Sequence, residues 1–193
     1  MRHRNKGRKL GRSPSHQRAL LRNLASALFL TERDAELDDN KPKVRGRIVT
    51  TLEKAKEVRP LVEKCITIAR RTLPSVEAAR EHGTDAERNS AAWKTWRESA
   101  KYKQWNAAIA PVVAARRRVL VLLGDKKAMK LVFDEIAPRY ADRNGGYTRI
   151  LRLAKPRLGD NGTRAILELV GETGRTARSA PAPSFEAESP AAT

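Results

Sequence analysis

No carboxylate appears in this chain before Glu32, yet Arg2, Arg4, Lys6, Arg8, Lys9, Arg12, Arg18 and Arg22 all fall within its first twenty-five residues. Like charges in a run repel one another. With Gly7 and Gly11 inside it and little apolar weight before Leu20, this stretch has nothing from which to build a core. Residues 1–13 are therefore expected to form an arm. An arm of this kind gains affinity from a polyanion, because each phosphate that Lys or Arg neutralises releases condensed counterions. A solvated basic tail or a targeting peptide would share the composition.

The remainder of the 193-residue chain has enough apolar side chain to bury a core, 40% of all residues against 32% charged. The net charge of the whole chain, +18, points outward, to nucleic acid or an anionic surface. The compact apolar run at 119–123 is far short of the roughly 18 to 20 residues that a membrane span needs, so no membrane partner is expected. No apolar stretch follows the basic amino terminus as a secretory signal requires. A single cysteine, Cys65, leaves no internal disulfide and no thiolate cage, which suits a reducing cytoplasm.

Ser13-Pro14 reads as a helix start, with Ser15 as the alternative cap, and the spacing predicts a helix to about Leu30. Leu20, Leu24 and Leu28 form its stripe, widened by Leu21, Ala25 and Ala27, with Arg18 and Arg22 on another face. An acidic loop is expected over 34–45, then a strand over 46–51. From Leu52 a helical stripe of Ala55, Val58, Leu61, Val62, Cys65, Ile66 and Ala69 runs towards Pro74, with a kink or break expected at Pro60.

Residues 75–111 read as a helical insertion holding all three tryptophans. Thr84 and Glu87 have capping-box spacing, which predicts a helix from Asp85. On one continuous helix Trp93, Trp96 and Ala100 would face one way and Tyr102, Trp105 and Ile109 the other. Such a pattern needs two partners: the domain itself in a helical hairpin, or RNA bases, or another protein. Further on, Gly124 stops a helix after Arg116, Arg117, Arg118 and the 119–123 run, and Asp125 caps the next, whose stripe is Met129, Val132, Phe133, Ile136 and Tyr140. Strands over 147–153 and 165–170, joined by the turn-rich 155–162, predict an antiparallel hairpin. The composition of 172–193 predicts a disordered tail.

Catalysis would require a nucleophile beside a base, paired carboxylates or a metal cage, and none leaves its spacing here. His3, His16 and His82 are not spaced as metal ligands, Cys65 falls on an apolar stripe, and Gly145-Gly146 lacks the phosphate-loop pattern. No enzyme activity, cofactor, metal or small-molecule substrate is therefore expected. Basic residues instead recur at every region expected on the surface, including Lys54, Lys56, Arg70, Arg71, Arg116 to Arg118, Arg139, Arg143, Arg149 and Arg152. A dispersed field suits folded RNA better than a duplex read by one element.

The opening MRHRNKGRKLGR-SPSH, the run ALLRNLASAL, RIVTTLEKAKEVRPLVE and, above all, KLVFDEIAPRYADRNGGYTRILRL resemble the ribosomal protein seventeen family of the bacterial large subunit. The resemblance covers about 1–33, 46–73 and 112–171, in order. It implies a two-layer α+β fold, with a helix, a strand, further helices and a closing two-strand hairpin packed around a small mixed sheet. It also implies a non-catalytic, cytoplasmic constituent of the large subunit that binds ribosomal RNA near the nascent-chain exit, beside neighbouring ribosomal proteins. By position, the RNA-facing candidates are Arg2, His3, Arg4, Gly7, Arg8, Leu10, Arg12, His16 and Arg22, then Arg139, Arg143, Gly146, Tyr147, Thr148 and Arg149. Lys6, Lys9 and Arg18 join them from the charge pattern alone. The chain departs from the family pattern at Gln17, Glu53 and Thr163-Arg164. The acidic loop 34–45, the segment 75–111 and the tail 172–193 are additions to an expected domain of 14–171. A free nucleic-acid-binding protein outside the ribosome is the competing expectation.

Overall fold

The protein is seen here in a computed structural model that describes residues 7–11, 13–35 and 38–171. Ser13 opens the first helix: its hydroxyl accepts from the His16 amide at 3.3 Å. With Pro14 where a missing N–H is harmless, α1 runs Pro14–Leu30 as the sequence predicts. Ala25, Leu28 and Phe29 are buried. Ala27 is exposed, contrary to its expected place on the stripe, because it lies about 160° around the helix from both Ala25 and Phe29. Thr31 then ties both ends of the acidic loop, donating to Leu28 O at 2.6 Å and accepting from the Gly46 amide at 3.0 Å. Arg33 gathers the loop between, on Asp38 and the Asn40 carbonyl.

Strand β1 (Arg47–Thr51) leads directly into α2 (Leu52–Arg70). Ala55, Val58, Val62, Cys65, Ile66 and Ala69 are fully buried along one face of α2, and each fully buried Val or Ile contributes roughly 1.5–3 kcal/mol. The break expected at Pro60 does not occur. Pro60 lies on the exposed face, as does Lys56, so the carbonyl that loses its donor is on the watery side of the helix.

Next come α3 (Leu73–Glu81), α4 (Ala91–Glu98) and α5 (Ala100–Leu123). The helix expected from Asp85 is absent. Thr84 instead closes a short turn on the Ala86 amide, Asn89 takes φ 71°, and Ser90 caps α4 by accepting from the Trp93 amide at 3.2 Å. A left-handed residue cannot continue a helix, so the start moves past it. Ser99, extended at ψ 162°, separates α4 from α5 and caps the latter. α5 passes through the exposed Pro111 and ends at Gly124, φ 74°. Asp125 caps α6 (Lys126–Leu131) through the Lys127 and Ala128 amides. A π-helical turn (Val132–Ile136) and α7 (Ala137–Arg139) follow, carrying Val132, Phe133 and Ile136 inward.

Strands β2 (Thr148–Arg152) and β3 (Arg164–Leu169) form the expected antiparallel hairpin. Its turn is held by Arg157 on Asp160, whose carboxyl that guanidinium and the Gly162 amide keep below the usual range. β1 pairs with the far side of β3, giving the order β1-β3-β2. The α+β architecture is thus as expected, with one correction: both pairings are antiparallel, so the sheet is not mixed. β3 returns from the hairpin alongside β1 in the opposite sense, and among the described residues no crossover places two strands parallel. Ala165, Leu167 and Leu169 turn one sheet face onto α2, α1 and the π turn, forming a single core.

Candidate nucleic-acid interface

The described part of the arm lies against the helices. Gly7, at φ 101°, lies beside α2, where a Cβ would be in ordinary contact with Glu57 Oε1 at 3.6 Å. Gln17 Nε2 donates to the Arg8 carbonyl at 2.6 Å, so the residue that departs from the family pattern serves as the arm's anchor. At Gly11 a Cβ would meet Cδ2 of the exposed His16 ring at 2.5 Å and the Gln17 backbone nitrogen at 3.2 Å, so a side chain there would displace His16. Leu10 is half-buried, whereas Gly7, Arg8, Lys9, His16, Arg18 and Arg22 are exposed. Arg2, His3, Arg4, Lys6 and Arg12 lie outside the described residues, as does the 172–193 tail.

The second set of candidates surrounds the 141–146 loop. Arg70, at the carboxyl end of α2, holds that loop from inside, donating to the Arg143 carbonyl at 3.0 Å and Asn144 Oδ1 at 2.7 Å. Arg143 itself donates to the Gly145 carbonyl at 3.1 Å. Gly145 and Gly146 take φ 131° and 62°, a region closed to most side chains, so the loop's backbone is bare at its tip. Beneath it Tyr140 donates to the Val170 carbonyl at 2.7 Å and packs on Tyr147, ring centroids 5.1 Å apart. Tyr147 and Thr148 are buried, at 1% and 3% exposure. Thr148 donates to Glu63 Oε1 at 2.8 Å, so it ties β2 to α2.

Two of the candidate arginines rest on buried carboxylates. Arg139 lies 3.5 Å from Glu32, and Arg149 bonds Glu168. The sheet register sets Arg47, Glu168 and Arg149 side by side across three strands. A guanidinium has five N–H donors, so one carboxylate fixes the half-exposed Arg149 without exhausting it. Beside it, Lys56, Arg59, Arg149 and Arg152 rim a groove of about 420 Å³ floored by Leu52 and Ile150. Arg59 is absent from the sequence-based candidates, although the α2 stripe already places it on the outer face.

The structure keeps Arg143 and Gly146 on the loop over Arg70, sets Arg139 on Glu32, and places Arg149 in the groove with Lys56 and Arg59, at the same end of α2 as Glu57 and the arm. From Glu57, beside the arm, to Arg70, beneath the loop, α2 rises about 20 Å. Among the described residues no group of three or more His, Cys, Asp or Glu is placed to hold a metal ion. No helix among them is long and apolar enough to cross a membrane.

These features define a class first: an α+β protein with a basic surface braced by buried acids. The family model described as Ribosomal protein L17 matches residues 20–170. The large ribosomal subunit protein bL17 of Rhodopirellula baltica is 66% identical over 190 residues, covering 98% of this chain and 90% of that protein. Those of Lactobacillus helveticus and Thermus thermophilus are 39% and 37% identical, covering 84% and 88% of this chain and 98% and 99% of theirs. The chain belongs to the ribosomal protein L17 family, and it is accordingly a structural, non-enzymatic component of the bacterial large ribosomal subunit, in the cytoplasm.

Proposed function

We propose that the chain binds large-subunit ribosomal RNA through its arm, the outer face of α1 and the Arg139–Arg149 surface, steadying that RNA near the nascent-chain exit beside neighbouring ribosomal proteins. The observation that carries this reading is the bracing of Arg149 by Glu168 within the groove of Lys56, Arg59 and Arg152. A guanidinium fixed before its phosphate arrives loses less freedom on binding, while its remaining N–H donors and the neighbouring Lys56 and Arg152 supply the attraction to phosphate. Gly145 and Gly146 admit close approach of a phosphate to backbone amides. Tyr147 and Thr148 support the loop from within, Arg8, Lys9, His16, Arg18 and Arg22 extend the basic surface along the arm, and Arg2, His3, Arg4, Lys6 and Arg12 join the RNA-contact candidates on sequence alone. The exit-region placement follows from the family resemblance.

The test is the affinity of the full chain for purified large-subunit ribosomal RNA across a salt series. An Arg59→Gln, Arg152→Gln double variant is expected to bind about tenfold more weakly, with the logarithmic salt slope reduced by roughly one for each phosphate no longer neutralised. Equal affinity and equal slope in variant and parent would remove the groove from the interface.

A further inference from the structure

The Trp-bearing segment holds a hollow of about 820 Å³ between α3, the 83–88 turn, α4 and α5. The extended backbone at Ser99 puts a corner between α4 and α5, so the aromatic residues do not point to opposite sides as they would on one helix. Trp96 Nε1 donates to the His82 carbonyl at 3.1 Å, which sets its ring edge-on to Tyr102 and Trp105, at 5.1 and 5.5 Å. Tyr102 and Trp105 stack at 5.9 Å. The Arg97 guanidinium lies 5.7 Å over Tyr102 and 5.0 Å over Trp93. Trp93, Arg97, Tyr102 and Trp105 thus form one stacked column. If the column were only a local core its rings would be sealed, yet α4 buries no residue and all three tryptophans stay half-exposed. The charge around it is unbalanced, Arg80, Arg88 and Arg97 against Asp85.

Resting on the RNA-binding reading above, we infer that this hollow is a second RNA site, one that takes an unpaired nucleotide. The base extends the stack at the end of the column, where aromatic and guanidinium faces accept any base, and the phosphate meets Arg80 and Arg88. An uncharged apolar peptide would leave those arginines without a role.

All three tryptophans of the chain line this hollow, so their emission reports its occupancy and is blind to the arm. The full chain is titrated with a short single-stranded oligoadenylate, following tryptophan emission with the unlabelled strand and total binding by anisotropy of a labelled one. Saturable quenching is expected, its midpoint raised about fivefold or more in an Arg80→Gln, Arg88→Gln variant, both side chains being exposed and safe to change. Binding seen by anisotropy with emission unchanged, or quenching identical in the variant, overturns the inference alone. No binding by either signal sinks the RNA reading as well. In assembled large subunits, photocrosslinks from residues 91–105 are expected on ribosomal RNA, and crosslinks only to a neighbouring protein would overturn the nucleotide site.

Discussion

Glu168 and Glu32 show how a protein this basic keeps its arginines in place. Both carboxylates are buried, and at Glu168 the cost of desolvation is offset by Arg149. The two partners of one pair should therefore differ in what their loss costs. Arg149→Ala strands an acid in the interior and is expected to destabilise by about 3 kcal/mol. Glu168→Ala leaves an arginine that turns to water, costing about 1 kcal/mol. Urea unfolding of both variants checks this, and equal losses would mean that Arg47 substitutes for Arg149. Cys65 gives a second residue-scale prediction. Burial pushes its thiol up to about 12, outweighing the opposite pull of Lys64. The folded chain keeps a proton that the unfolded chain releases above about pH 8.5, so this contribution is whole below that pH and is lost as pH rises towards the folded value. Between pH 8.5 and 10.5 the parent should lose roughly 2 kcal/mol more stability than Cys65→Ala, and an equal loss would count against a buried, protonated thiol.

At the scale of elements, stability is uneven. α2 buries a whole face, whereas α4 buries nothing and α3 only Ala79. Native-state hydrogen exchange should find α4 amides opening with a small local free energy and α2 amides exchanging only on global unfolding. Comparable protection in the two would contradict the packing. The same contrast explains what could be read in advance. Ser13, Gly124 and Asp125 mark helix ends through local chemistry, so those ends fall where the sequence places them. The Thr84–Glu87 spacing failed because Asn89, a few residues on, takes a left-handed conformation that capping rules do not see. Aromatic sidedness failed because it assumed one helix through Ser99. In the site, the arginines were visible as charge, but the acids that brace them were not. Glu32 and Arg139 are 107 residues apart, and only the folded chain brings them together.

At the scale of the whole molecule, a net charge of +18 repels itself until phosphates surround it, which favours a component built into RNA over a free binder. Membership of the L17 family places the chain in the large subunit, and the groove beside Arg149 and the aromatic column of the Trp-bearing segment are where we propose it meets RNA. The most direct test isolates large subunits from cells making this chain, washes them at high salt, irradiates them and maps the crosslinks. The account predicts that the chain stays bound, with RNA crosslinks from residues 8–22 and 139–152. Retention through protein crosslinks alone, with none to RNA from either stretch, would contradict it.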